Sequence, residues 1–250
     1  EAFSIGLTYI TMIVVINAYN LIDGVDGLAG SLGLLTTTVF GTYFLMAGIP
    51  AYAMLSFAVA GSLVAFLIFN FNPAKIFMGD SGSLMLGLIN SVLVLKFMQV
   101  GDTPGVAFPV ESVAAVAIAI LIVPLADTLR VFSIRISQGR SPFSPDRNHI
   151  HHLLLDRGLN HKYVTICCVL MNICFITLAF FAGAMGPTYL LLFMMVISLT
   201  LVGALVYYKK KPVRGMVAAA QPFGHAASLV NEHAAPKVIA MKPEMAVAEN

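Results

Sequence analysis

Apolar runs of near-uniform length recur along this chain, at approximately 3–20, 28–47, 51–71, 84–100, 113–132, 163–183 and 188–208. Short stretches of Gly, Pro, polar or charged residues separate them. A helix crosses the hydrocarbon core of a bilayer in about 20 mostly apolar residues, so each run is of spanning length. The pattern predicts an all-α fold, a polytopic transmembrane helical bundle of about seven spans. Composition agrees: of 250 residues, 59% are hydrophobic and 10% charged, and the mean hydropathy is +0.90, far from the mix of a soluble domain.

Charge gives the bundle an orientation. Seven alternating spans divide the connecting segments into two sets. One set and the tail after residue 208 hold Lys75, Arg135, Arg140, Arg147, Arg157, Lys162, Lys209, Lys210, Lys211 and Arg214; the other holds Asp102 and Glu111 and no Lys or Arg. Loops rich in Lys and Arg stay cytoplasmic, which assigns the first set to that side. Lys96 lies near the outer end of its span and is expected to snorkel to the interface rather than line an ion path. From about Val213 the chain turns to Ala, Pro, Met and scattered charge without apolar periodicity. The expected division is a membrane catalytic domain at 1–212 and a poorly ordered cytoplasmic tail at 213–250. Cys167, Cys168 and Cys174 share one apolar stretch and read as small buried hydrophobes. The chain opens at Glu1 without an initiator Met, and an upstream portion is expected to be missing.

The polar residues of interest gather at the side assigned to the cytoplasm. The first group is the run Asn17 to Gly27, with Asn20, Asp23 and Asp26 where a span reaches the surface. Carboxylates three residues apart share a face if the backbone is helical, and the glycines allow close approach of a ligand. The plainer reading is a polar, glycine-rich helix end, but two Asp and two Asn at an apolar boundary favour function. The second group runs from Asn70 to Ser83. Its Gly79-Asp80-Ser81-Gly82 offers a carboxylate on a turn just ahead of a helix, a setting for Mg²⁺ bridged to phosphates, although Asp and Ser are also ordinary helix caps. Phe77 suits packing, or stacking on a nucleobase.

Asp127 sits in an apolar run with Arg130 three residues on, so a structural ion pair and a catalytic role are equally open. The last group includes Arg147, His149, His151 and His152. Three His within four positions suggest metal, but a closed zinc site generally takes four ligands and no Cys is near. Gripping phosphate oxygens during phosphoryl transfer is the favoured reading. No nucleic-acid fold motif is present, and phosphate binding explains the basic loop better than DNA does.

The run Asn17 to Gly30, the run Phe77 to Gly87, Pro124-Leu125-Ala126-Asp127-Thr128 and Arg147-Asn148-His149-Ile150-His151-His152 together resemble the bacterial polyprenyl-phosphate N-acetylhexosamine-1-phosphate transferases, in order and in membrane placement. The resemblance covers nearly everything from Glu1 to about Tyr208. It implies a Mg²⁺-dependent reaction, with Mn²⁺ as a substitute, in which a polyprenyl phosphate attacks the β-phosphorus of a UDP-N-acetylhexosamine and UMP leaves. It implies a multi-pass enzyme of the bacterial inner membrane, active on the cytoplasmic face, and leaves room for a homodimer. Within it, Asp80 looks like the metal-binding aspartate, with Asn20, Asp23 and Asp26 on the nucleotide side. Asn70 and Phe77 would contact the uracil, and Arg147, His149, His151 and His152 the phosphates. The His-x-His-His form looks like the branch that starts O-antigen, teichoic acid or related glycans, GlcNAc-1-phosphate being the expected group. Family members also carry adjacent aspartates upstream, and no Asp-Asp pair occurs here.

Two rivals make different demands. CDP-alcohol phosphotransferases also place an Asp-Gly motif at a membrane face, with further Asp at close spacing, whereas after Asp26 the next Asp here is Asp80. An ion or solute transporter requires polar residues through the depth of the bilayer, while here they gather on one face.

Overall fold

In the computed structural model, residues 2–103, 105–141 and 149–207 are described. They form helices α1 (Ala2–Ile22), α2 (Leu28–Met46), α3 (Pro50–Asn70), α4 (Gly79–Val100), α5 (Val113–Ile120), α6 (Ile122–Ser137), α7 (Ile150–Leu155), α8 (His161–Phe181) and α9 (Pro187–Tyr207), with a 3₁₀ turn at Gly183–Met185. No strand occurs among the described residues. Six helices are long and apolar enough to cross a membrane, and α5 with α6 makes a seventh if the pair is one bent span. Arg147 and the tail at 213–250 lie outside the described residues.

The six long spans α1–α4, α8 and α9 are largely apolar on all sides because lipid is as apolar as a protein core, so no polar face has to meet water. Phe3, Ile10 and Ile13 of α1 are exposed, as are most side chains of α9, where only Leu190 and Met194 are buried. The same logic corrects one expectation: only Cys168 is buried, while Cys167 and Cys174 are exposed. Residues 167 and 174 are seven apart and share a helix face, with 168 about 100° round from 167.

Packing inside the bundle depends on small residues and on hydrogen bonds closed within the protein. A side chain added at Gly87 of α4 would sit 2.7 Å from the Ile16 Cα, so α1 and α4 meet backbone to backbone there. Deeper in the spans, Tyr19 and Thr36 hydroxyls lie 2.8 Å apart and Thr36 donates to Asn90 Oδ1 at 2.7 Å, joining α1, α2 and α4. Polar residues are therefore not confined to one face, but these satisfy one another. Lys96 donates to Gln99 at 3.0 Å and stands over the Tyr52 ring, held at its own end of α4.

The run drawn as one span at 113–132 is broken. α5 and α6 meet at 80° across Leu121. Pro124 lacks the N–H that would bond the Ile120 carbonyl one turn back, and Asn172 of α8 supplies the missing partners. Its Nδ2 donates to Ile120 O at 3.0 Å and its Oδ1 accepts from Val123 N–H at 3.2 Å. Asn172 is fully buried, so one side chain satisfies both backbone groups freed at the break where water has no access.

Candidate functional site

Hydrogen bonds draw three loop regions together at one end of the bundle. α1 ends at Ile22, and residues 23–27 form turns rather than the helix that would put Asp23 and Asp26 on one face. Gly27 takes φ 75° as it starts α2, a conformation open to glycine at little cost; its N–H donates to Asn70 Oδ1 at 3.0 Å. Because the chain turns there, the two carboxylates have different surroundings.

Asp26 is a tie between loops. Its Oδ2 accepts from Asn72 Nδ2 at 2.9 Å and from Ala74 N–H at 3.2 Å, while Oδ1 lies 3.3 Å from His161 Nδ1. Its carbonyl accepts from Thr165 at 2.9 Å. Partial burial would raise its pKa, but the hydrogen bonds from Asn72 and Ala74 and the charge of His161 together hold it below the usual carboxylate value. The α1–α2 turn, the α3–α4 loop and the start of α8 thus meet on one side chain. Asn70 serves the same assembly: its Oδ1 takes the Gly27 N–H, its Nδ2 donates to Ile76 O at 2.8 Å, and it is buried. Phe77 is 74% exposed and its ring face is open to a ligand.

Asp23 faces Asp80. Burial first, and then the charge of Asp80, push its pKa up from 3.8 to about 6. α4 begins at Gly79, so Asp80 lies in its first turn rather than ahead of the helix. Asn20 Nδ2 contacts Asp80 Oδ1 at 3.3 Å and Ser83 Oγ at 3.0 Å, linking α1 to α4. Two carboxylates close enough for one to raise the other's cost of ionisation are hard oxygen donors that suit a divalent cation such as Mg²⁺.

The raised value makes stability depend on pH with a definite sign. Between about 3.8 and 6 the folded protein binds more protons at Asp23 than the unfolded chain does, so this group's penalty on stability grows as pH rises through that window and is complete above it. A cation held by the Asp23 carboxylate must displace the proton below about pH 6. Mn²⁺ affinity followed by electron paramagnetic resonance is expected to be flat above neutrality and to weaken by up to about tenfold per pH unit below the Asp23 value. Affinity unchanged down to about pH 4.5, well below that value, would take Asp23 out of the cation's reach.

The His residues enter through α6 and α7. His149 Nδ1 lies 2.8 Å from Asp127 Oδ2, and Asp127 Oδ1 accepts the Ile150 N–H. His151 stacks on His149 with ring centroids 5.2 Å apart, and a side chain at Gly24 would come within 2.6 Å of its Nε2. That contact joins the His segment to the Asp23 turn. His151 is 2% exposed; burial, against the opposing charge of Asp127, lowers its pKa to about 3, so it is neutral at any physiological pH. His152 lies beside it, with centroids 4.4 Å apart. Asp127, His149 and His151 are all buried, with ligand atoms within 4.8 Å of one another.

Residues 1–98 match the family model for glycosyl transferase family 4. The resemblance to that family continues beyond the matched stretch in the relatives that follow. It is 38% identical over 177 residues to the decaprenyl-phosphate N-acetylglucosaminephosphotransferase of Mycobacterium leprae, covering 65% of this chain and 44% of that protein. It is 37% identical over 180 residues to the protein of the same name from Mycobacterium tuberculosis, covering 66% and 44%. The undecaprenyl-phosphate alpha-N-acetylglucosaminyl 1-phosphate transferase of Escherichia coli is 28% identical over 172 residues, covering 67% and 45%. The chain thus spans less than half the length of these relatives. With six or seven helices of spanning length, the chain is a multi-pass membrane protein.

Residues that the sequence pattern does not single out also build the surroundings of the site: Asn72, Ser83, His161, Thr165 and Asn172. Asn72 and Ser83 fall inside the polar runs, but nothing in spacing tells a tie from a ligand. His161 opens α8 between Asn160 and Lys162, Asn172 is an isolated polar residue inside the same apolar helix, and only the fold gives them these partners.

Proposed function

We propose that the protein transfers N-acetylhexosamine-1-phosphate, most simply GlcNAc-1-phosphate, from a UDP-sugar to a polyprenyl phosphate on the cytoplasmic face of the bacterial inner membrane. The observation that carries the reading is the meeting of the Asp23 turn, the first turn of α4 with Asp80, and the His149–His152 segment at one end of an apolar bundle. It joins carboxylates suited to a cation, imidazoles suited to phosphate, and lipid-facing helices. The names of the relatives above agree with it.

In this reading an oxygen of the lipid phosphate forms a bond to the β-phosphorus of the UDP-sugar, the bond from that phosphorus to the bridging oxygen breaks, and the oxygen leaves with UMP. Positioning and charge neutralisation are the main demands of such a displacement. Asp80 and Asp23 would hold Mg²⁺, which when bound neutralises charge on the pyrophosphate. Phe77 offers a ring for the uracil. His149 and His152 would face the phosphates, while neutral His151 braces the segment against Gly24. Asn20 orients Asp80, and Asp26 and Asn70 fix the loops that carry the nucleotide.

The test is UMP release by the full-length gene product, with a panel of UDP-N-acetylhexosamines, with and without polyprenyl phosphate and Mg²⁺. Release that requires both lipid and metal is expected. Folded protein that releases no UMP with any donor would overturn the reading.

A further inference from the structure

The transfer just outlined gives Asp127 no task, yet it is 1% exposed and both its oxygens are engaged. A buried carboxylate is stable only if its lone pairs are satisfied. One oxygen takes the Ile150 backbone N–H where α7 begins, and the other lies 2.8 Å from His149 Nδ1. An ionised carboxylate is an acceptor only, so the nitrogen facing it must carry a proton. That leaves Nε2 as the one ring atom of His149 available to a ligand.

We propose that Asp127 is a positioning residue for the transfer: it fixes His149 as the Nδ1–H tautomer with Nε2 free for the reacting phosphates, and by holding the Ile150 N–H it sets where that ring stands. This rests on the transferase reading for its consequence, though not for its geometry. The rival is a metal at Asp127, His149 and His151. Donors each about 2.0–2.2 Å from a shared zinc ion in a tetrahedral site stand more than about 3 Å apart, whereas 2.8 Å is a hydrogen-bond distance. The Nδ1 of His151 is 4.0 Å from the same oxygen and has no hydrogen-bond partner; it packs beside the pair without joining it.

The chain of causes starts in the sequence. Pro124 breaks the span, Asn172 seals the break, and α6 departs at 80°. Asp127, three residues beyond the proline, is thereby carried to the His segment rather than left along a straight membrane helix.

Asp127→Asn separates positioning from simple support. The amide can still accept the Ile150 N–H through its oxygen, but its NH₂ then faces His149 and selects the opposite tautomer. The expected result is an exchanged pair of ¹⁵N imidazole signals for His149, with kcat lower by roughly 10²-fold or more and KM for the UDP-sugar within about threefold of wild type. Unchanged tautomer and turnover in a folded variant would reduce Asp127 to a backbone anchor and overturn the proposal. Should the variant not fold, the wild-type spectrum decides: a proton on Nε2 and none on Nδ1 refutes it, as does stoichiometric zinc in the purified protein. A wild-type protein with the Nδ1–H tautomer and no UMP release would sink the transferase reading and leave the Asp127–His149 pair standing.

Discussion

Asp80→Asn is expected to reduce UMP release by on the order of 10³-fold, the scale carried by charge-neutralising groups in phosphoryl transfer, with the bundle still folded. The side chain is exposed and is met by Asn20 at 3.3 Å, so the amide alters charge without disturbing a core. Loss of a carboxylate from the first turn of α4 forfeits about 0.3–1 kcal/mol of helix-dipole interaction, whereas a 10³-fold loss of rate is about 4 kcal/mol. The effect on rate should therefore far exceed the effect on stability. The measurement is turnover at saturating Mg²⁺ beside a helical circular-dichroism spectrum. A folded variant within about threefold of wild-type turnover, far short of that scale, would remove Asp80 from the cation's place, and the carboxylate role would have to pass to other residues.

The second large effect is on stability. Asn172→Leu keeps the volume but strands the Val123 N–H and the Ile120 carbonyl at the break between α5 and α6. Side-chain hydrogen bonds within membranes average only about 0.6 kcal/mol, because alternative partners usually appear. Here the groups left behind belong to the backbone, are buried, and follow from a proline that cannot be repaired. Each such orphan costs roughly 1–3 kcal/mol, so a loss of about 2–6 kcal/mol is expected for the two, large beside the ~5–15 kcal/mol total of a typical domain. Unfolding by titration with sodium dodecyl sulfate from a mild detergent would measure it. A variant within about 0.5 kcal/mol of wild type, the range of substitutions that touch nothing important, would mean that the break is held by packing alone.

Much of the arrangement is legible in the chain itself. Spanning length, the polar boundaries and the gathering of Asp23, Asp80 and the His residues all follow from local composition, since lipid enforces helices and loops of basic character on one side. Hydropathy places the start of α4 too late because Gly79, Asp80 and Ser81 are polar, and it marks where lipid begins rather than where a helix does. It passes over the break after Ile120 because apolar residues continue through it, and Pro124 by itself is compatible with the first turn of a helix. The separate fates of Asp23 and Asp26 are hidden in their spacing, which a helix and a turn read differently.

What the sequence determined by itself is the bundle, the family resemblance and the set of chemically able residues, because burial in lipid and residue type act locally. Only the tertiary structure decided their division of labour. Asp26 ties two loops to the start of α8, Asp23 feels the charge of Asp80, His151 is sealed against Gly24, and Asp127 holds His149, each through a partner tens of residues away in the chain. Such pairings are set by how helices cross and break, and the pivot for the last of them is a single buried asparagine, Asn172, opposite Pro124.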